Sequence, residues 1–171
     1  MINIGQNSIN RMQSFSQHLL ESKSVTWVRP SPSTLKTEYA VEYKKHLSPE
    51  LGENPYPTEK SFLKAIETAY TEVITPSTDR AIRNRSRTTS MKGLLNLIKG
   101  YRSYPKFRNE KTLEDMKDVM VSGGKMDMPI VVEDTHGNRR VFSGNTRMDM
   151  AFILKMNPTV LVLTLPKGIE L

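Results

Sequence analysis

The chain has 171 residues, no cysteine and a formal net charge of +7 at neutral pH. This length suits one domain, with or without an extension, and is enough to bury a hydrophobic core. The lack of cysteine excludes thiol catalysis, disulfides and cysteine-ligated zinc, and the three histidines are too scattered to predict a metal site. Because no apolar run reaches the roughly 18 residues that a membrane span needs, and no signal peptide is recognisable, we expect a cytoplasmic protein without membrane contact.

Residues 1–35 are rich in Ser, Asn and Gln and contain the stretch RPSPS. This composition predicts a weakly ordered amino-terminal arm with one short helix near residues 9–20. The single tryptophan, Trp27, is expected to attach the arm to the rest of the protein.

Residues 36–100 are predicted to form a helical extension. One helix is indicated by TLKTEYAVEYKKHL, and a second runs from Glu59 to about Ile74 after a Thr58 cap, with Tyr70 and Val73 on its apolar stripe. A third helix, MKGLLNLIKG, follows a Ser90 cap and ends at a glycine.

A basic segment spans residues 80–109, with nine basic side chains and no acid. A run of arginines is often only a solvated face, but the lack of acids favours contact with a phosphate backbone. Six of its cations are predicted to bind nucleic acid: Arg80, Arg83, Arg85, Arg87, Lys92 and Arg102. Three aromatic residues of the segment are candidates for stacking on bases, although Phe107 fits a core position better: Tyr101, Tyr104 and Phe107.

Residues 101–171 predict the order strand, helix, strand, strand, helix, strand. The segment YRSYPKF reads as extended, and a helix follows with Thr112 as its cap. PIVVE and RRVFS, joined by DTHGN, predict a β-hairpin, and TVLVLTL predicts a buried strand after the helix TRMDMAFILKM.

The turn from RRVFS into that helix is the candidate binding site. A glycine turn at the start of a helix leaves backbone N–H groups without partners, and the positive end of the helix dipole attracts phosphate. The predicted phosphate-binding residues here are Ser143, Gly144, Asn145, Thr146 and Arg147. The alternative is that Asn145 or Thr146 merely caps the helix and Arg147 pairs with a surface acid.

The string MPIVVEDTHGNRRVFSGNTRMDMAFILKMNPTVLVLTL resembles the ParB/sulfiredoxin-like domain family, in particular stand-alone bacteriophage-type members with an S-G-N-T-R turn. The resemblance covers about residues 101–165. It implies an α+β fold, with a small mixed sheet and helices preceded by the helical extension. It also implies a nucleotide on the turn, and Arg108 of YPKFRN on the edge of the same pocket. Asn145 stands where sulfiredoxins carry their reactive cysteine, which excludes sulfinic-acid repair.

Three hypotheses on function follow. The first is a phosphate- or nucleotide-binding ParB-like protein of phage origin that acts on or with nucleic acid. The resemblance alone favours DNA over RNA and implies ATP, ADP or CTP with Mg²⁺. The second is a small nucleotide-dependent phosphotransferase, with Glu110 and Asp149 as candidate catalytic carboxylates, although each also suits a helix-dipole or ion-pair role. The third is a non-catalytic protein-interaction module. The sequence predicts neither an oligomeric state nor whether a reaction takes place.

Overall fold

A computed structural model describes residues 24–100 and 110–171 of the chain. The described residues form an α+β fold, as the sequence predicts. Its elements in chain order are β1 (Thr26–Val28), α1 (Pro32–Glu38), a π-helix (Tyr39–Leu47), α2 (Ser48–Glu50), α3 (Glu59–Glu67), β2 (Tyr70–Val73), α4 (Pro76–Asp79), β3 (Ile82–Arg83), α5 (Met91–Gly100), α6 (Glu110–Val121), β4 (Lys125–Asp127), β5 (Ile130–Glu133), β6 (Arg139–Ser143), α7 (Asn145–Ile153) and β7 (Thr159–Thr164).

The main sheet is mixed and has five strands in the order β2-β7-β5-β6-β3. β2 pairs with β7, and β5 with β6, in antiparallel fashion, whereas the β5–β7 and β3–β6 pairs are parallel. β1 and β4 form a separate parallel ribbon. The central strands β5 and β7 are continuous apolar runs, as expected for strands that are covered on both faces.

Helices cover both faces of the sheet. The π-helix and α3 pack on one face through an aromatic cluster, in which Tyr43 and Phe142 have ring centroids 6.4 Å apart. α7 packs on the other face, where Met148 contacts the alternate side chains of β5 and β7. α5 and α6 pack on the outer side of α7 through Leu94, Leu113 and Met150. α7 is therefore surrounded by protein along most of its length.

Several sequence predictions are confirmed. Thr58 and Ser61 form a reciprocal capping box at the start of α3, and Ser90 accepts a hydrogen bond from the Gly93 N–H at 3.1 Å at the start of α5. The predicted hairpin is β5–β6, with Val131 opposite Val141. The predicted helix and final strand are α7 and β7.

The predicted helix from Glu59 is too long, because it ends at Glu67 and Tyr70–Val73 forms strand β2. Tyr70 and Val73 continue the apolar spacing of the helix, but Tyr, Thr and Val favour strands and this segment pairs with β7. Residues 36–100 are thus not only helical, since they supply β2 and β3 to a sheet completed by residues 101–171.

Two further predictions concern Trp27 in the arm and the first residue of α6. Trp27 lies in β1 and packs against two of the three apolar clusters. α6 begins at Glu110, two residues before the predicted cap Thr112. The predicted helix near residues 9–20 and the predicted extended segment YRSYPKF lie outside the described residues.

Candidate phosphate-binding site

The turn between β6 and α7 depends on Gly144. This residue is left-handed, with φ 92° and ψ 21°, and it is the N-cap of α7. A β-carbon at this position would lie 2.8 Å from the Pro129 Cβ and 2.9 Å from Nη2 of Arg147. Glycine is therefore required both by the backbone conformation and by the close packing of these two neighbours.

The first turn of α7 presents donors at the positive end of the helix. The Met148 N–H is the first to bond back along the helix, to the Gly144 carbonyl at 3.0 Å, and no side chain of the described residues caps the N-terminus. Thr146 is half-buried, and its hydroxyl makes no hydrogen bond within residues 24–100 and 110–171. These groups are of the kind that bind phosphate.

Asn145 connects the turn to the basic segment. Its Nδ2 donates to the Asn84 carbonyl at 2.7 Å, and its Oδ1 accepts from the Arg85 guanidinium and from the Ser86 N–H at 3.4 Å. The parallel pairing of β3 with β6 explains this contact, because the carboxyl ends of both strands lie at the same edge of the sheet. The Asn145 side chain thus joins the turn to the basic segment and does not cap the helix.

Arg147 folds back over the turn. Its Nη1 donates to the Asp127 carbonyl at 2.8 Å, and its Nη2 lies 3.3 Å from the Ser143 hydroxyl and 3.8 Å from a Glu38 carboxylate oxygen. Burial lowers the pKa of Arg147, while the charges of Glu38 and Asp127 oppose this effect. The guanidinium remains charged, because an arginine pKa stays far above neutral pH in proteins.

Glu38 also belongs to the site, although it was not predicted from the sequence. This residue ends α1, where the helix widens into the π-helix, a form that is often found at functional sites. Burial raises the pKa of Glu38, although a hydrogen bond from Ser143 and the charge of Arg147 act in the opposite direction. No spacing or motif links Glu38 to Arg147, because only the tertiary fold brings α1 to the turn.

The candidate catalytic residue Asp149 lies in a buried ion pair. Its carboxylate is 2.7 Å from Nη2 of Arg85 and also accepts from the Thr88 N–H at 3.2 Å and from the Ser86 hydroxyl. The side chain is only 1% exposed. All of these contacts stabilise the charged carboxylate and attach α7 to the basic segment.

Arg85 lies in the interior and not on the surface where the sequence analysis places it. Its side chain is fully buried, and its guanidinium also pairs with Asp79 at 2.6 Å. Two carboxylates and the Asn145 amide satisfy the planar fork, so burial of this charge is compensated. Arg85 is therefore unavailable to an external phosphate backbone.

The other predicted nucleic-acid-binding cations differ in their contacts with the protein and in their exposure to solvent. Arg87 donates to the carbonyls of Asp79 and Ile82, at 2.8 and 2.6 Å, and its side chain is still 42% exposed. Arg83 is exposed and donates to the Leu171 carbonyl at 3.0 Å. Arg80 and Lys92 are also exposed. Most of the cations predicted to bind nucleic acid are thus exposed to solvent: Arg80, Arg83, Arg87 and Lys92.

Some predicted site residues cannot be placed. The residues outside the described ranges are Tyr101, Arg102, Tyr104, Phe107 and Arg108. Glu110 begins α6, but its side chain also lies outside what the structure describes. The predicted pocket edge at Arg108 and the candidate role of Glu110 therefore stay predictions.

Within residues 24–100 and 110–171, no group of three or more His, Asp or Glu side chains is arranged to hold a metal ion. No helix in these ranges is long and apolar enough to cross a membrane. Comparisons with protein-family models, with curated proteins and with solved structures give no match.

Proposed function

We propose that this protein binds a phosphate of a nucleotide or of nucleic acid at the turn between β6 and α7, and that it acts on or with nucleic acid. We further propose that it is a ParB/sulfiredoxin-like protein of phage origin that works in the host cytoplasm, with ATP, ADP or CTP and Mg²⁺ as candidate ligands. The observation that carries the proposal is the docking of the acid-free basic segment on the turn through Asn145 and Asn84.

This docking supports a joint anion-binding surface. The carboxyl end of β3 lies beside the carboxyl end of β6, so the exposed Arg83 precedes Asn84 at the edge of the sheet that also carries Gly144. Arg80 and Lys92 flank the docked residues along the chain. A phosphate at the start of α7 would meet the helix dipole and N–H groups that no described side chain caps, and the cations would attract the neighbouring phosphates.

Binding without bond-making is the form of the proposal that the geometry favours. A phosphotransferase needs a carboxylate that can accept the proton of a hydroxyl substrate. Asp149 is buried and already accepts hydrogen bonds from Arg85, Ser86 and Thr88. A carboxylate held in this way stabilises the fold and is poorly suited to take up a substrate proton.

Thr146 provides the most direct test. It is the second residue of α7, where a carboxylate complements the helix dipole, so Thr146→Glu should fold normally while placing a negative charge in the proposed site. Thr146→Gln is the matched uncharged control. Binding of a fluorescent oligothymidylate is measured by anisotropy, and binding of ATP and CTP, with and without Mg²⁺, by calorimetry.

We expect Thr146→Glu to bind about tenfold or more weakly than Thr146→Gln, equivalent to about 1.4 kcal/mol, because the two variants differ only in the added negative charge. If both variants bind as the wild type does, the phosphate does not lie at the start of α7. If the wild type binds none of these ligands, the proposed function is wrong.

A further inference from the structure

Glu38 and Arg147 form an ion pair at the candidate site. Their side chains are each 15% exposed, and Nη2 of Arg147 lies 3.8 Å from the Glu38 carboxylate. This separation is longer than the 2.7–2.9 Å that is typical of a charge-assisted hydrogen bond. A guanidinium has five N–H donors, and the described acceptors closer than 3.5 Å are the Asp127 carbonyl and the Ser143 hydroxyl. Arg147 therefore keeps donor capacity on the side that faces Glu38.

The backbone at Glu38 is held in place by its neighbours. Leu35 and Tyr39, on either side of it along the chain, are buried in the aromatic core cluster. The Thr34 hydroxyl of α1 donates to the Asp127 carboxylate at 3.3 Å, which attaches the helix to β4. A ligand that reaches Arg147 would consequently lie close to Glu38.

Three groups act on the Glu38 carboxylate. Arg147 faces it from α7, Asp127 from β4 and the Ser143 hydroxyl from the end of β6. Burial and the negative charge of Asp127 raise the pKa of Glu38, and their combined effect exceeds that of Ser143 and Arg147, which lower it. A further anion beside Glu38 would raise this pKa again, because like charges disfavour ionisation.

We propose that Glu38 is a specificity-determining residue of the phosphate site, and that a phosphodiester anion is accepted at Arg147 together with one proton on Glu38. This inference rests on the proposed phosphate binding. The proton comes from solvent and is held by the carboxylate, which then donates a hydrogen bond to the bound anion. One O–H bond of hydronium breaks as the O–H bond of the carboxylic acid forms, which leaves water, and no other covalent bond changes. The bound proton neutralises Glu38, so the anion does not lie beside a second negative charge. The site therefore favours anions that bind together with this proton.

The direction of the pH effect follows from this proton uptake. The complex binds one more proton than the free protein between the Glu38 pKa of the free protein and its higher pKa in the complex. Affinity therefore rises as the pH falls through this interval, by at most about tenfold for each pH unit. A site without Glu38 lacks this contribution.

The experiment measures binding of a fluorescent oligothymidylate at about pH 5.5 and about pH 8, a range in which neither its phosphodiesters nor its thymines titrate. The proteins are the wild type, Glu38→Gln and Glu38→Asp, each checked by thermal unfolding. Calorimetry of the wild type in two buffers with different ionisation enthalpies counts the protons taken up and does not depend on any variant.

We expect the wild type to bind between threefold and about tenfold more tightly at the lower pH, with net proton uptake. Glu38→Gln should bind at the higher pH as tightly as the wild type does at the lower pH, and Glu38→Asp should retain the wild-type pH dependence. The histidines are the same in all three proteins, so their contribution cancels in the comparison.

Two results would overturn the inference in distinguishable ways. If Glu38→Gln binds with the same pH profile as the wild type and no proton is taken up, Glu38 has no such role, although phosphate binding itself stands. If none of the proteins binds the oligonucleotide at either pH, both the inference and the proposed function fail.

Discussion

Arg85 and Asp149 form a fully buried ion pair, 2.7 Å between Nη2 and Oδ1, that joins the basic segment to the first turns of α7. The same guanidinium pairs with Asp79 and contacts the Asn145 side chain. Because all these groups are satisfied within the protein, the pair sets the position of the turn relative to β3. The candidate site consequently lies where two segments that are distant in the sequence are joined.

Asp149→Asn should destabilise the protein, because the Arg85 charge then remains buried with a single carboxylate partner. Removal of one member of a buried pair typically costs about 3–5 kcal/mol, and we expect a loss near the lower end because Asp79 remains. The free energy of unfolding in urea measures this loss. Asp118→Asn, an exposed carboxylate on α6, is the matched control and should stay within about 0.5 kcal/mol of the wild type. Equal stability of the two variants would contradict a structural role for Asp149.

Gly144→Ala and Gly137→Ala separate backbone strain from packing. Both glycines have positive φ, 92° and 80°, so an alanine at either position should cost about 1–2 kcal/mol in strain. Only at Gly144 would the new methyl group also clash, with Pro129 and Arg147, whereas the space at Gly137 is open. We expect Gly144→Ala to lose at least about 1 kcal/mol more than Gly137→Ala in urea unfolding. Equal losses would mean that Pro129 and Arg147 can move away from the turn.

Neutralising the exposed cations Arg80, Arg83 and Lys92 to glutamine should weaken oligothymidylate binding and flatten its salt dependence. Each lost contact with single-stranded DNA lowers the slope of log affinity against log salt by about 0.7, so the triple variant should lose up to about 2. The control removes the same charge from Lys45, Lys60 and Lys64, which are exposed on the π-helix and α3. A slope that changes equally in both triple variants would show only a general effect of net charge.

Much of the secondary structure could be predicted because its signals are local. The hairpin follows from two short runs rich in β-branched and aromatic residues that a turn-forming sequence joins, and the caps Thr58 and Ser90 act within three residues of themselves. The left-handed Gly144 at the start of α7 was predictable for the same reason. The prediction missed β2 because Tyr70 and Val73 continue the apolar spacing of the preceding helix, whereas the segment becomes a strand through its pairing with β7.

The sequence by itself determined the α+β composition, the glycine turn and the excess of positive charge in the basic segment. Only the tertiary structure decided which of those charges are exposed, because Arg85 is buried by Asp79 and Asp149 whereas its neighbour Arg83 reaches the surface. The fold also brought Glu38 to Arg147. Burial and ion pairing depend on which segments meet in space, and such long-range contacts have no signature in the local pattern of residues.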